Sequence, residues 1–309
     1  MQVIPALFTA PKGVAQAAER PKITRHEVGT YLVQIAAAFL AYILAGKLGQ
    51  ATAEIRSSNL GPVWPAFGVA LAAFLLWGYR IWVGIAAAAF LVAYSSPVPH
   101  IAAAGQAAGS TLAAVTGAYL LRDIAKFDPS LSRLRDAISL IVLGAFGSAV
   151  VSASIGVSVL YGAHVQAYSG LGSAWLVYWL GDATGVLLVT PLVLVFPTLL
   201  WICSRVRIAE FAALLLLLTA ACCIIFGDLP LIPVRLHALA FAVLPFVIWA
   251  AIRFGVLGAT LSTFLVATIA TVETAFGSGP FALHTTFINA VLLDVFFCRA
   301  FDLGFDIGG

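Results

Sequence analysis

Asp182 is the strongest candidate for chemistry in this sequence, because it stands alone in a long apolar stretch. It is the single charged side chain between residues 174 and 202. In a helix that begins near Ala174, it would lie about 12 Å below the outer end. An ionised carboxylate at that depth costs several kcal/mol unless it is paired or hydrated, and such residues commonly serve function. The sequence therefore predicts a binding role for Asp182, with a structural hydrogen bond to a neighbouring helix as the alternative.

Tryptophan and glycine accompany this acid in two places. Trp179 lies about one turn before Asp182 and is expected on the same helix face. An earlier helix opens with a Trp-Pro-Ala-Phe-Gly run from Trp64 to Gly68. We predict that these four residues meet in the outer half of a helical bundle and bind a stimulus or ligand. Glu273 is a further candidate, although a carboxylate near the headgroups can also simply reach water.

Metal, covalent and nucleotide chemistry have no matching pattern in the sequence. The cysteines form no CxxC pair and the five histidines form no HxH or HxxxH pair, which predicts neither a zinc site nor any other cofactor. Motifs of kinases, cyclases, P-loop enzymes, serine hydrolases and metalloproteases are missing. The sequence therefore predicts a protein that is not an enzyme.

Composition identifies the elements that must position these residues. Apolar residues make up 62% of the 309 and charged residues 9%, against about 25% charged in a typical soluble domain. Such a chain cannot cover a water-facing surface, whereas a lipid bilayer favours it, and we set aside nucleic acid as a partner. The prediction is an all-α, polytopic transmembrane helical bundle whose direct partner is the lipid bilayer.

Runs of roughly 20 apolar residues recur along the chain, the length needed to cross about 30 Å of hydrocarbon as a helix. We predict nine spans and possibly a tenth at 286–298, which contains Asp294. The nine lie at approximately 30–49, 62–79, 81–95, 101–121, 137–161, 174–202, 209–226, 237–253 and 255–276.

The basic residues predict the orientation of this bundle. If the N-terminus is cytosolic and the tenth span exists, 13 of the 16 lysines and arginines fall in inner segments, and Lys47, Arg56 and Arg235 remain outside. Lysine and arginine accumulate in cytoplasmic loops, so this division favours a cytosolic N-terminus and a cytosolic loop at 122–136.

Two ridges of small residues predict close helix packing. In the fourth span, Gly105, Gly109 and Gly117 follow one another at multiples of four. In the fifth, Gly144, Ser148 and Ser152 do the same. Small residues let helix backbones approach closely in lipid. Since sequential helices usually touch, we expect the two ridges to pack on each other, with a homodimer interface as the alternative.

Several short motifs, in order along residues 30–285, resemble the first-described type of bacterial membrane-associated sensor domain. The most specific are the W-P-x-x-G and W-x-G-D-x-x-G patterns. The matching residues are Pro62-Val63-Trp64-Pro65 with Gly68, Gly78-Tyr79-Arg80-Ile81-Trp82, Leu120-Leu121-Arg122, Ser152-Ala153 with Gly156, Trp179-Leu180-Gly181-Asp182 with Gly185 and Pro191, Pro245 with Trp249 to Gly255, and Gly277 to Phe281.

The resemblance implies a multi-pass sensory input module of the bacterial inner membrane, acting on a cytosolic histidine kinase, diguanylate cyclase or phosphodiesterase. We divide the chain into a cytosolic tail at 1–28, a transmembrane sensor domain at 29–285 and an atypical segment at 286–309. That last segment lacks the final helix and basic linker expected of the family. A partner kinase or cyclase, two-component signalling and cyclic di-GMP signalling are the corresponding expectations. The alternatives are a small-solute secondary transporter and a truncated, non-functional sensor fragment.

Overall fold

The computed structural model describes residues 25–54, 63–165, 167, 170–197, 205–227 and 241–276, and every regular element among them is helical. The expected segment at 286–309, the possible tenth span and most of the expected N-terminal tail lie outside these residues. The α-helices are α1 (Arg25–Glu54), α2 (Pro65–Trp77), α3 (Trp82–Tyr94), α4 (His100–Tyr119), α5 (Leu134–Ser139), α6 (Ser148–Gly162), α7 (Leu171–Val195), α8 (Arg205–Phe226) and α9 (Leu244–Ala275).

The helices fit an all-helical membrane protein, and five of them are long and apolar enough to cross a bilayer. These candidate spans are Val28–Ala51, Leu134–Gly162, Leu171–Val195, Val206–Phe226 and Phe241–Thr274. The second of them is a single rod in which the π-helical segment Leu140–Gly147 joins α5 to α6. Helices α2 and α3 are apolar but have 13 residues each, about 20 Å, which is less than the hydrocarbon thickness. The nine or ten spans expected from the sequence thus remain a prediction.

The short helix α2 forms the centre of the bundle. All ten residues from Ala66 to Leu75 are buried. A helix that is apolar on every side is stable only when it is surrounded, and α1, α4 and α7 pack around α2. Pro65 occupies its first turn, where a missing backbone N–H costs nothing. Gly78, with a φ of 79°, ends it.

Contacts along the helices fix their relative directions. Helices α1 and α3 run parallel, since Tyr31 OH donates to Arg80 O near their starts and Lys47 Nζ donates to Ser95 Oγ near their ends. Helices α4 and α6 run antiparallel, because Gly105 lies against Val159 and Gly117 against Ser148. These two pairs of helices therefore run parallel and antiparallel, respectively, as expected for spans that cross in alternating directions.

The long helix α9 is broken at Gly255, which has φ 61° and ψ −148°. A straight helix would separate residues 250 and 258 by about 12 Å. Instead, a Cβ added at Gly258 would collide with Ala250 O. The chain therefore turns sharply at Gly255, so the candidate span Phe241–Thr274 consists of two helical segments that meet near the boundary expected between spans 237–253 and 255–276.

Candidate functional site

The two tryptophan–glycine motifs pack directly on each other, α2 against α7. Trp64 N donates to Gly181 O at 2.9 Å, and Thr190 Oγ1 donates to Gly68 O at 2.9 Å. A Cβ added at Gly68 would overlap the carbonyl oxygen of Gly185, and one at Gly185 would overlap that of Trp64. The spacing of these pairs shows that α2 runs parallel to α7. The glycines are therefore needed because two backbones touch here, an arrangement that small residues permit in membrane helices.

A polar cavity lies beside the first residues of α2. It has an empty volume of about 600 Å³, its opening to solvent included, and is bordered by α1, α3, α4, α7 and Trp64, the residue before α2. Its position beside Gly181 is about 15 Å along α7 from that helix's first residue. The polar and aromatic lining consists of Tyr42, Gln50, Trp64, Ser96, Gln106, Ser110, Tyr178 and Asp182.

Asp182 lies in the wall of this cavity and is 1% exposed. Its Oδ2 atom has no hydrogen-bond partner within the described structure. Ser152 of α6 lies beside the carboxylate, and its hydroxyl also lacks a partner there. An unpartnered carboxylate oxygen in an apolar surrounding is costly, so it marks a position where a ligand group or a proton would be stabilising.

Tyr178, one turn before Asp182, packs over Gly156. A Cβ added at Gly156 would lie 2.7 Å from the Cζ of the tyrosine ring. Gly156 is itself one turn after Ser152, so α6 presents a serine to the carboxylate and a bare backbone to the phenol. The small-residue ridge of α6 thus packs against two residues of the cavity wall, Tyr178 and Asp182.

Tyr42 and Trp64 complete the aromatic part of the wall. Tyr42 belongs to α1 and is 2% exposed. Ser110 of α4 interacts with the hydroxyls of both Tyr42 and Tyr178, and Trp64 also interacts with Tyr42. Four helices thereby contribute hydrogen-bonding side chains that converge near Asp182.

A polar network forms the rim of the cavity. Gln50 Nε2 donates to Val92 O and to Ser96 Oγ, each at 2.7 Å, which ties the end of α1 to the end of α3. Ser95 Oγ donates to Gln50 Oε1 at 3.3 Å and accepts from Lys47 Nζ at 2.6 Å. Lys47 is exposed at this rim and is not among the residues that line the cavity.

The other expected site residues have different surroundings. Gly68 lies in the α2–α7 contact rather than in the cavity wall. Trp179 faces the π-helical segment of residues 140–147, where its Nε1 donates to Phe146 O at 3.0 Å. It stacks on Trp175 with ring centroids 5.7 Å apart. Glu273 lies near Gly227, beside the end of α8. The structure therefore brings together Trp64, Asp182 and the Gly68 junction, but not Trp179 or Glu273.

The two small-residue ridges lie on facing helices. Added Cβ atoms at Gly105 and Gly109 would meet Val159 and Ile155, and one at Gly117 would meet Ser148. Gly144, in contrast, is filled by Leu121 and Leu140. Ser148 Oγ donates back to Gly144 O. The ridge contacts are thus formed within one chain.

A second polar cluster lies at the opposite end of α2. Arg80 donates to Gln34 Oε1 at 3.1 Å, and Tyr79 OH donates to Asp123 Oδ2 at 2.6 Å. The Arg122 guanidinium lies over the Tyr79 ring and donates to Phe74 O, the last turn of α2. Two further motifs of the resemblance, Gly78–Trp82 and Leu120–Arg122, therefore meet here.

The loop after Arg122 is held by carboxylates. Asp128 N donates to Asp136 Oδ1 at 3.2 Å, and Ser130 N donates to Asp128 Oδ1 at 3.0 Å. The bond from Ser130 lowers the pKa of the Asp128 carboxyl. Asp128 thus begins a turn, and the next helix starts only at Leu134.

Sequence reasoning missed part of the cavity wall. Tyr42, Gln106 and Ser110 carry no spacing signal of their own. One sequence signal for the wall is the pair Tyr178 and Asp182, which lie one turn apart, together with Ser152 and Gly156, which have the same spacing on the preceding helix. Among the described residues, no cluster of three or more histidine, cysteine, aspartate or glutamate side chains could hold a metal ion.

Comparison with known proteins supports the resemblance drawn from the motifs. The model of the MASE1 family, a membrane-associated sensor domain, matches residues 33–301. No curated protein and no solved structure matches the chain significantly. The match covers most of the chain, including α2, α7 and all the residues that line the cavity. The chain therefore belongs to the MASE1 family of membrane-associated sensor domains.

Proposed function

We propose that this chain is a sensory input module of a bacterial inner membrane. A stimulus binds in the cavity beside Trp64 and Asp182, and the change in helix packing reaches a cytosolic histidine kinase or cyclic-dinucleotide enzyme. The observation that carries this proposal is the buried Asp182 carboxylate, one oxygen of which has no partner in the described structure, in a cavity bordered by four helices and Trp64. Intramembrane acids of this kind commonly mark functional sites.

Helix α2 is the element best suited to transmit the change. Trp64, the residue before its first turn, lines the cavity, and its last turn contacts Arg122 about 20 Å away. Backbone contact at Gly68 and Gly185 couples α2 rigidly to α7. Packed helices shift between discrete arrangements rather than deforming continuously, so occupancy of the cavity would favour one arrangement of the Arg80, Arg122 and Asp123 cluster.

A chimera tests this proposal without knowledge of the stimulus. The full chain is fused through a helical linker to a cytosolic diguanylate cyclase, and cyclic di-GMP is measured at equal expression. Asp182→Asn keeps the size of the side chain but removes its charge, so it should change the basal output. Leu112→Ala, on an exposed face of α4, is the matched control and should leave the output unchanged. Identical output from all three chimeras would refute the proposal.

One observation favours transport of a small solute as a second candidate function. Helix α2 begins deep in the bundle, with its N-terminus at a polar cavity, and interrupted helices of this kind are typical of secondary transporters. A transporter must release on the opposite side what it binds, whereas a sensor need only bind it. Gradient-driven, saturable uptake into vesicles containing the purified chain would favour transport over sensing.

A further inference from the structure

We infer that the cavity beside Asp182 binds a small organic cation, an ammonium or alkylammonium group, with Asp182 as its counter-ion. This inference rests on the proposed function, in which the same cavity receives the stimulus. It adds the chemical class of the ligand, which follows from the charge, the aromatic rings and the apolar surface of the wall.

Charge gives the first argument. Asp182 is the one ionisable acid in the described cavity wall, which includes no lysine, arginine or histidine. Its buried Oδ2 has no partner in the described structure. Any cationic group would compensate the charge, and one with an N–H or O–H would also donate the missing hydrogen bond, whereas an anionic ligand would face a carboxylate in an environment of low dielectric constant.

The start of α2 lies next to Asp182 along α7. The N-terminus of α2 meets α7 at Gly181, directly before the carboxylate, through the bond from Trp64 N. Negative charge is favoured at such a position. A bound cation would offset the cost of burying the ionised carboxylate.

The aromatic residues provide a second, independent argument. Tyr42 of α1, Trp64 just before α2 and Tyr178 of α7 line the same cavity. Aromatic faces attract cations, tryptophan most strongly, and rings around a carboxylate are a common way to bind alkylammonium groups. Ala89, Val92 and Ala93 form an apolar side of the wall against which the carbon atoms of such a ligand can pack.

A charge-matched pair of probes tests this inference on the full chain, purified in nanodiscs. Choline and 3,3-dimethylbutan-1-ol have nearly the same shape, and only choline is charged. Choline and tetramethylammonium should raise the melting temperature in a saturable manner. The neutral alcohol should bind at least about tenfold more weakly than choline, since charge and cation–π attraction are lost.

Variants assign the effect to the carboxylate. Asp182→Asn should weaken choline binding about tenfold. Asp128→Asn, the same substitution in an exposed loop, should leave it unchanged. Equal binding of choline and the alcohol, or an unaltered choline affinity in Asp182→Asn, would overturn the inference. So would the absence of stabilisation by both cations.

A second measurement keeps the inference testable if Asp182→Asn does not fold. Ser96→Cys, in the cavity wall, is introduced after the native cysteines are replaced by alanine. A cationic methanethiosulfonate reagent should react there faster than an anionic one, relative to the same pair of reagents at His100→Cys. An equal ratio at both positions would contradict a cation-attracting cavity.

Failure of this inference and failure of the proposed function have different signatures. If both cations fail to bind but Asp182→Asn changes the cyclase output of the chimera, the sensory function stands and the cation assignment is wrong. If choline binds through Asp182 but no cavity variant alters the output, the cation site stands and the sensory function is wrong.

Discussion

Gly68→Ala tests the junction between α2 and α7 most directly. The added Cβ would overlap Gly185 O and would lie 2.9 Å from both Gly185 C and Val189 Cβ. A backbone carbonyl cannot rotate away as a side chain can, so the two helices must separate. Separation would also stretch the bond that Thr190 Oγ1 donates to Gly68 O.

The expected cost follows from these contacts. Overpacking of a tight core costs about 1–3 kcal/mol, and a lost buried hydrogen bond about 0.5–1.5 kcal/mol. The higher helix propensity of alanine offsets this loss by up to about 1 kcal/mol. The free energy of unfolding should therefore fall by about 1–4 kcal/mol in Gly68→Ala.

Reversible unfolding of the purified chain in mixed detergent and SDS micelles measures this difference. Gly172→Ala is the matched control, since it lies in the first turn of α7 and an added Cβ meets nothing within 4 Å. Gly172→Ala should be neutral or slightly stabilising. A Gly68→Ala protein as stable as the wild type, or an equal loss in both variants, would refute the close backbone contact.

Three further predictions concern the orientation of the bundle, the break at Gly255 and the expected lack of enzymatic activity. In a cysteine-free background, Ser132→Cys should resist a membrane-impermeant thiol reagent in intact cells, while His100→Cys should react, because the basic residues favour a cytosolic 122–136 loop. The reverse labelling pattern would show that the orientation is inverted. Gly255→Ala should lose about 1–3 kcal/mol of unfolding free energy, since φ 61° with ψ −148° is strained for alanine, whereas Gly162→Ala should not. Equal stability of these two variants would show that the break at residue 255 carries no strain. The purified chain should neither autophosphorylate nor form cyclic dinucleotides, and either activity in a preparation free of contaminating enzymes would contradict an input module.

The apolar runs predicted helices well because each bilayer-spanning segment must satisfy its own backbone hydrogen bonds. Seven of the nine expected spans coincide with helical segments that the structure describes. The first residues of the span at 237–253 lie outside the described part, and the break at Gly255 separates this span from the next. The span expected at 174–202 ends earlier, since α7 stops at Val195 and residues 198–204 lie outside the described part. The short lengths of α2 and α3 explain why the number of complete crossings stays a prediction.

The sequence alone determined the class of protein and its family motifs, and it singled out Asp182 as a candidate, because composition and a lone intramembrane charge are properties of one segment. The neighbours of Asp182 were decided only by the tertiary structure. Periodicity indicates which face of a helix is special, but not which helix covers it, and α2 is apolar on every side, so it has no face to orient. Tyr42, Gln50 and Ser110 therefore joined the cavity, while Trp179 and Glu273 lie elsewhere, through packing between helices distant in the chain.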